Sequence, residues 1–127
     1  MGMKARMPLS VVVLLLSGCA THFSRGTHAY DDGVYPEAVD ELTAAEPDLP
    51  GMSQEDRTRY ALYRGLAHLA LGDMEQAERW LAESKALWDS DRHLLDDDDR
   101  GRLLSAWQAI GHAPGAWGAD VLRRRGM

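Results

Sequence analysis

Apolar residues recur along this chain in two rhythms. Between Pro8 and Leu16 they form an uncharged run that ends in Val11, Val12, Val13, Leu14, Leu15 and Leu16. From about residue 21 they come three and four positions apart, with charged residues between, as in helices that turn one face inward. The clearest stretch follows the turn signal Pro50-Gly51. Ser53, with Asp56 three residues on, caps a helix start. Tyr60, Tyr63, Ala67 and Ala70 then follow at helical spacing beside Leu62, Leu66 and Leu69. Gly72-Asp73 ends that helix and opens another, whose inner stripe is Met74, Ala77, Leu81, Ser84 and Trp88, with Glu75, Glu78, Arg79 and Glu83 outside it.

The same pattern predicts a helix from about Thr21 to Asp32. A second begins near Pro36, where the missing N–H costs nothing, carries Ala38, Val39, Leu42 and Ala45, and stops around Glu46-Pro47. Beyond residue 96 a helix is expected from about Asp97 to Ile110, carrying Leu103, Leu104, Trp107 and Ile110. A short one, weakened by Gly118, follows from Ala116 to Arg124.

These elements repeat. Gly33, Gly72 and Gly111 lie 39 residues apart, and each is followed five residues later by an alanine, Ala38, Ala77 and Ala116. Arg25-Gly26 aligns with Arg64-Gly65, Leu42 with Leu81, and Ala45 with the small Ser84. The sequence thus predicts an all-α fold of about five helices, stacked as antiparallel hairpins, with copies at about 19–50, 54–89 and 97–125.

Gly65, His68, Gly72-Asp73, Ala77, Leu81 and Ser84 fill the places of the tetratricopeptide repeat, and the chain resembles that family. Gly26, Gly33, Ala38, Leu42 and Ala45 do so in the first copy; Leu103, Trp107, Gly111 and Ala116 do so in the third. The period of 39 exceeds the family's usual length of about 34, with the extra residues fitting the loop near Leu49 to Met52. His68 stands where an aromatic is usual, Arg64 where a leucine is. Longer Sel1-like repeats, whose pattern Trp80 fits, and a generic helical bundle are the alternatives. The resemblance implies protein binding on the face made by the first helix of each pair. By register that face carries Phe23, Thr27 and Tyr30, then Leu62, Leu66 and Leu69, then Ser105 and Gln108.

The first eighteen residues stand apart. Lys4 and Arg6 precede an apolar run much shorter than the ~20 residues a bilayer span needs, as in a secretory signal. Leu16-Ser17-Gly18-Cys19 resembles the lipobox of bacterial lipoproteins. That resemblance implies cleavage before Cys19, a diacylglyceryl group on its thiol and an acylated amine. Cys19 is the only cysteine, so no intramolecular disulfide competes for it. Ala20 rather than aspartate follows it, which by the same resemblance favours the outer membrane, facing the periplasm.

Charge narrows the partners. Without residues 1–18 the chain keeps 12 basic and 20 acidic residues, so its net charge moves from −6 to −8. Such a domain repels phosphates, which argues against nucleic acid. Seven acids and no Lys or Arg lie between Asp31 and Asp48. That field selects a basic, amphipathic partner segment.

No catalytic constellation emerges. Asp96 to Asp99 suggest a calcium loop, but Arg100 and Trp107 occupy ligand positions, and acids at a helix start explain the run. His22, His28, His68, His93 and His112 show no zinc spacing, so neither metal nor cofactor is expected. Trp80, Trp88, Trp107 and Trp117 suit a core at helical spacing; exposed in a groove they would instead make a glycan platform. Arg123-Arg124-Arg125 is a basic tail that either pairs with the acidic body or a partner, or ends a solvated helix. The expectation is therefore a non-catalytic envelope lipoprotein that binds protein segments, the alternative being a glycan-binding or structural one.

Overall fold

A computed structural model describes residues 21–127. Residues 1–18, expected to form an export signal, and Cys19 lie outside the described residues. The fold is all-α, built from α1 (His22–Asp31), α2 (Tyr35–Ala44), α3 (Gln54–Ala70), α4 (Met74–Ser90), α5 (Asp97–Ala109) and α6 (Gly118–Arg124). Two short 3-10 segments, Glu46–Gly51 and Arg92–Leu94, join them.

The caps are local and sequence-coded. The hydroxyls of Thr21 and Ser53 accept the amides of Ser24 and Asp56 at 3.0 and 3.1 Å. The carboxylates of Asp73 and Asp96 do the same for Gln76 and Asp99 at 3.3 and 2.8 Å. Each satisfies an amide that the helix itself leaves unpaired.

The 39-residue period is structural as well as textual. Gly33, Gly72 and Gly111 have φ of 77°, 77° and 97°, the left-handed region where a side chain is strained. After each glycine the next amide, of Val34, Asp73 and His112, donates back to the carbonyl of Ala29, His68 and Trp107 at 2.9, 3.0 and 3.1 Å. This is the Schellman closure, and it ends the first helix of every copy in one way.

Close helix contact repeats too, but only twice. A Cβ on Gly26 would come within 2.6 Å of the Leu42 side chain, and one on Gly65 within 2.7 Å of the Leu81 side chain. Leu42 and Leu81 are fully buried. Each glycine thus lets α1 meet α2, or α3 meet α4, at side-chain depth. The hairpins are tied together by Tyr60, whose hydroxyl donates to the Leu42 carbonyl and accepts from Arg64 at 3.0 Å. Around them one core gathers Tyr60, Leu62, Trp80, Leu81, Leu103 and Trp107.

The third copy departs from the expected hairpin. α6 packs against α4 and barely meets α5. The reason lies in the register: Leu104 stands where Gly26 and Gly65 stand, and Asp120 where Leu42 and Leu81 stand, so no close contact forms. Gly118 instead lies against α4, where a Cβ would come within 2.4–2.9 Å of the backbone of Ala82, Lys85 and Ala86. Lys85 and Asp89, both almost fully buried, pair at 2.6 Å beneath it. Lys85 also donates to the Ala116 carbonyl at 2.9 Å, and Asp89 accepts the Gly118 amide at 3.0 Å.

Glu78, expected on a bare outer face, belongs to the same junction. It meets His112 at 3.0 Å and Arg125 at 2.8 Å, so it pins both ends of the segment that carries α6. His112 in turn stacks on Trp107, ring centres 4.3 Å apart. Burial alone would raise the Glu78 pKa, but hydrogen bonds from His112 and Arg125 outweigh it and hold the carboxyl below its ordinary value. Part of the basic tail therefore pairs with the body, Arg125 with Glu78, whereas Arg123 pairs with Asp120 within α6 itself.

Candidate interaction face

The first helices of the pairs, α1, α3 and α5, lie side by side. Of the residues expected on their face, Phe23, Tyr30 and Leu69 are half-buried and Gln108 is exposed. Leu62 and Leu66 are not on a surface at all. Leu62 is fully buried and Leu66 is 7% exposed, both in the core cluster that holds Leu103 and Trp107. The apolar groove centre expected from the sequence is thus corrected: it is filled from within, because α5 supplies apolar side chains to the same cluster.

A different set occupies the exposed part. Arg59 sits one turn before Tyr63 on α3, with its guanidinium 5.8 Å from the ring centres of both Phe23 and Tyr63. Tyr30 meets Tyr63 edge-on at 5.5 Å, and Phe23 meets Tyr60 at 6.0 Å. Beneath them lies Asp99, its side chain only 5% exposed. It accepts from the Tyr63 hydroxyl at 3.0 Å and from Arg102 at 2.9 Å, with Arg59 at 3.4 Å. Burial first, and then the charge and hydrogen bond of Asp99, push the Tyr63 pKa up to about 12. Tyr63 is therefore a fixed donor. Arg59 and Arg102 stay 37% and 45% exposed. Each holds its carboxylate partner and still offers donors and a stacking plane outward.

The sequence did not single out Arg59, Tyr63, Asp99 and Arg102 as a group. In the sequence Asp99 is one of a run of acids at a helix start, and its partners on α3 lie 36 and 40 residues away. One signal was present: Arg59 and Tyr63 are four apart, as neighbours on a helix face must be.

The acidic stretch flanks this face. Glu41 pairs with His22 at 2.6 Å and Arg25 at 3.2 Å, and Glu46 with Arg64 at 2.9 Å. Its hydrogen bond to His22, with that to Arg25, keeps the Glu41 carboxyl below its ordinary pKa. Asp31, Asp32, Glu37, Asp40 and Asp48 form no ion pair among the described residues. The charge of Asp31 reaches Tyr30, Tyr63 and Arg102, so this field extends onto the aromatic face.

Other expected sites distribute plainly. Trp80, Trp88 and Trp107 are buried, and Trp117 is 54% exposed. A stacking platform of several exposed indoles is therefore not what the described residues form. His68 is buried between helices, and that burial lowers its pKa. Among the described residues no three His, Cys, Asp or Glu side chains come together as a metal site would need. No helix of the described residues is long and apolar enough to cross a membrane. Comparison with protein families, curated proteins and solved structures finds no match to this chain.

Proposed function

We propose that this chain is a non-catalytic adaptor or assembly factor of the bacterial envelope, held at the outer membrane through lipid on Cys19 and binding a protein segment on the face of α1, α3 and α5. The observation that carries the reading is the pairing of half-exposed rings, Phe23 and Tyr30, with a flank of unpaired carboxylates around Asp31 and Asp32. Aromatic and arginine side chains are the usual anchors of protein interfaces. The carboxylates select a segment with basic flanks and speed its approach. The resemblance to the lipobox at Leu16-Ser17-Gly18-Cys19 and to tetratricopeptide repeats supports both halves of the proposal. By the same resemblance, such domains pilot envelope subunits, help assemble outer-membrane barrels or scaffold cell-wall enzymes.

A photo-crosslinking residue placed in living cells at Gln108 or Thr27 tests it, with the exposed Arg124 on α6, which packs against α4, as a control away from the face. The expected result is a discrete adduct from the first two positions, weakened when Asp31 and Asp32 are both replaced by lysine. Equal adducts from all three positions, or adducts indifferent to the charge reversal, would overturn the assignment of the face.

A further inference from the structure

The alternation of helices puts every glycine turn at one end of the stack. α1, α3 and α5 run toward Gly33, Gly72 and Gly111, α2 and α4 run away from them, and Thr21 starts α1 at the opposite end. With 17 residues in each of α3 and α4, the two ends lie roughly 25 Å apart. The large apolar side chains left exposed among the described residues are Val34, Leu71, Met74, Trp117 and Met127. Val34, Leu71 and Met74 sit on the first two turns and are 44%, 47% and 48% exposed. Met127 closely follows Arg125, whose guanidinium reaches the Glu75 carbonyl in the first turn of α4, so it belongs to the same end.

Small residues draw these turns together. Ala29, Ala38 and Ala67 are buried against one another about one helical turn beneath them. A single exposed apolar side chain is ordinary, but several gathered at one end mark an interaction surface. Packed helices lie ~8–10 Å apart, so successive turns present their apolar side chains at nearly the ~10.5 Å that separates residues seven apart on a helix.

Carboxylates surround the patch. Asp31, Asp32, Glu37, Asp73 and Glu75 are all exposed, and of these only Asp73 has an ion pair among the described residues, with the buried His68 at 3.4 Å. The cations at this end are fewer or engaged. Glu78 holds Arg125 at 2.8 Å and His112 at 3.0 Å. Arg102, which feels the charge of Asp31, is held by Asp99 at 2.9 Å. Arg79 lies over the Trp80 ring, 4.9 Å from its centre, and Arg124 and His28 are exposed. The five carboxylates outnumber the two arginines without an ion pair, Arg79 and Arg124.

We infer that this end of the stack docks a basic amphipathic helix of a partner protein. The helix lays its apolar stripe over Val34, Leu71 and Met74, and its lysines or arginines meet the surrounding carboxylates. A second copy would bring acid against acid, and an anionic lipid surface would do the same. The surface is distinct from the α1–α3–α5 face, although Asp31 and Asp32 border both and are left intact in the test.

The full chain is labelled at its methionine methyls, with the Met74 signal assigned by Met74→Leu. Met52, beside the 3-10 segment at the opposite end, is the control. The probe is an acetylated peptide with leucine and lysine at helical spacing. Its counterparts are the same peptide with glutamate for lysine, polylysine, and phosphatidylglycerol vesicles. The leucine–lysine helix should move the Met74 signal saturably and leave Met52 in place. Val34→Ser with Leu71→Ser should weaken binding about tenfold, since both side chains lose apolar area to bury. Glu37→Gln with Glu75→Gln should weaken it about fivefold at low salt and far less at high salt. If the serine pair melts below the wild type, the glutamine pair decides. A still Met74 signal, or equal movement of Met52, would overturn the proposal. So would polylysine or the glutamate peptide binding as tightly, vesicles moving Met74 further than the helix does, or affinity indifferent to the glutamine pair. None of these variants alters the α1–α3–α5 face, so the two proposals fail separately.

Discussion

Two glycines inside helices separate packing from propensity, and replacing each by alanine gives opposite signs. Gly65 lies in α3 and Gly101 in α5. Alanine is a better helix former than glycine by about 1 kcal/mol, and that gain is available at both positions. At Gly101 a Cβ meets nothing within 4 Å, so Gly101→Ala should stabilise the protein by about 0.5–1 kcal/mol. At Gly65 the Cβ would lie 2.7 and 2.9 Å from two side-chain carbons of Leu81 and 3.0 Å from the Leu81 backbone nitrogen. Leu81 is fully buried and cannot swing clear, so the hairpin itself must open slightly. Overpacking of this kind costs about 1–3 kcal/mol, which leaves Gly65→Ala destabilising by up to about 2 kcal/mol after the propensity gain. For a domain of this size each kcal/mol moves the melting temperature by about 4–8 °C, so thermal unfolding followed by circular dichroism resolves both changes. Gly26→Ala should likewise destabilise, because its Cβ would lie 2.6 and 2.7 Å from two side-chain carbons of the fully buried Leu42. If Gly65→Ala melted at or above the wild type, the helices would not be as close as described and the glycine–leucine register would be wrong.

Two further predictions concern the junction of α6 with α4. Lys85→Ala strips a buried partner from Asp89 and the Ala116 carbonyl and should cost about 3–5 kcal/mol in urea unfolding, whereas an unchanged midpoint would mean that α6 does not depend on the pair. The depressed pKa of Glu78 adds stability that is present above its ordinary value of 4.5 and lost as pH falls through its lower folded value; Glu78→Gln should remove that acid-side loss, and identical slopes of melting temperature against pH below 4.5 would refute the pairing with His112 and Arg125.

Local rules made much of the fold legible. Gly33, Gly72 and Gly111 announced the helix ends because only glycine sits easily at φ near 77–97°. Ser53 and Asp73 announced the starts because a short polar side chain must take up a free amide. The fate of α6 was less visible. Its place depends on whether a glycine faces a leucine across the pair, and on a lysine–aspartate pair 31 and 29 residues from what it binds. The site was legible in part for the same reason. Periodicity put Leu62 and Leu66 on a face, but their exposure was decided by what α5 brought against them. Asp99 became a buried hub through Tyr63, Arg59 and Arg102, contacts that no spacing rule links across helices.

The central claim joins an anchor to a docking face, and a single experiment reads both. Cells carrying the crosslinking residue at Gln108 are fed an alkyne palmitate, with Cys19 intact or replaced by serine, and adducts and label are read on one gel. The account predicts a palmitate-labelled adduct from the wild type, and neither label nor adduct from Cys19→Ser, because the unanchored chain no longer meets its partner at the membrane. Equal labelling of the two chains, or an equally strong adduct from unlabelled Cys19→Ser, would contradict it.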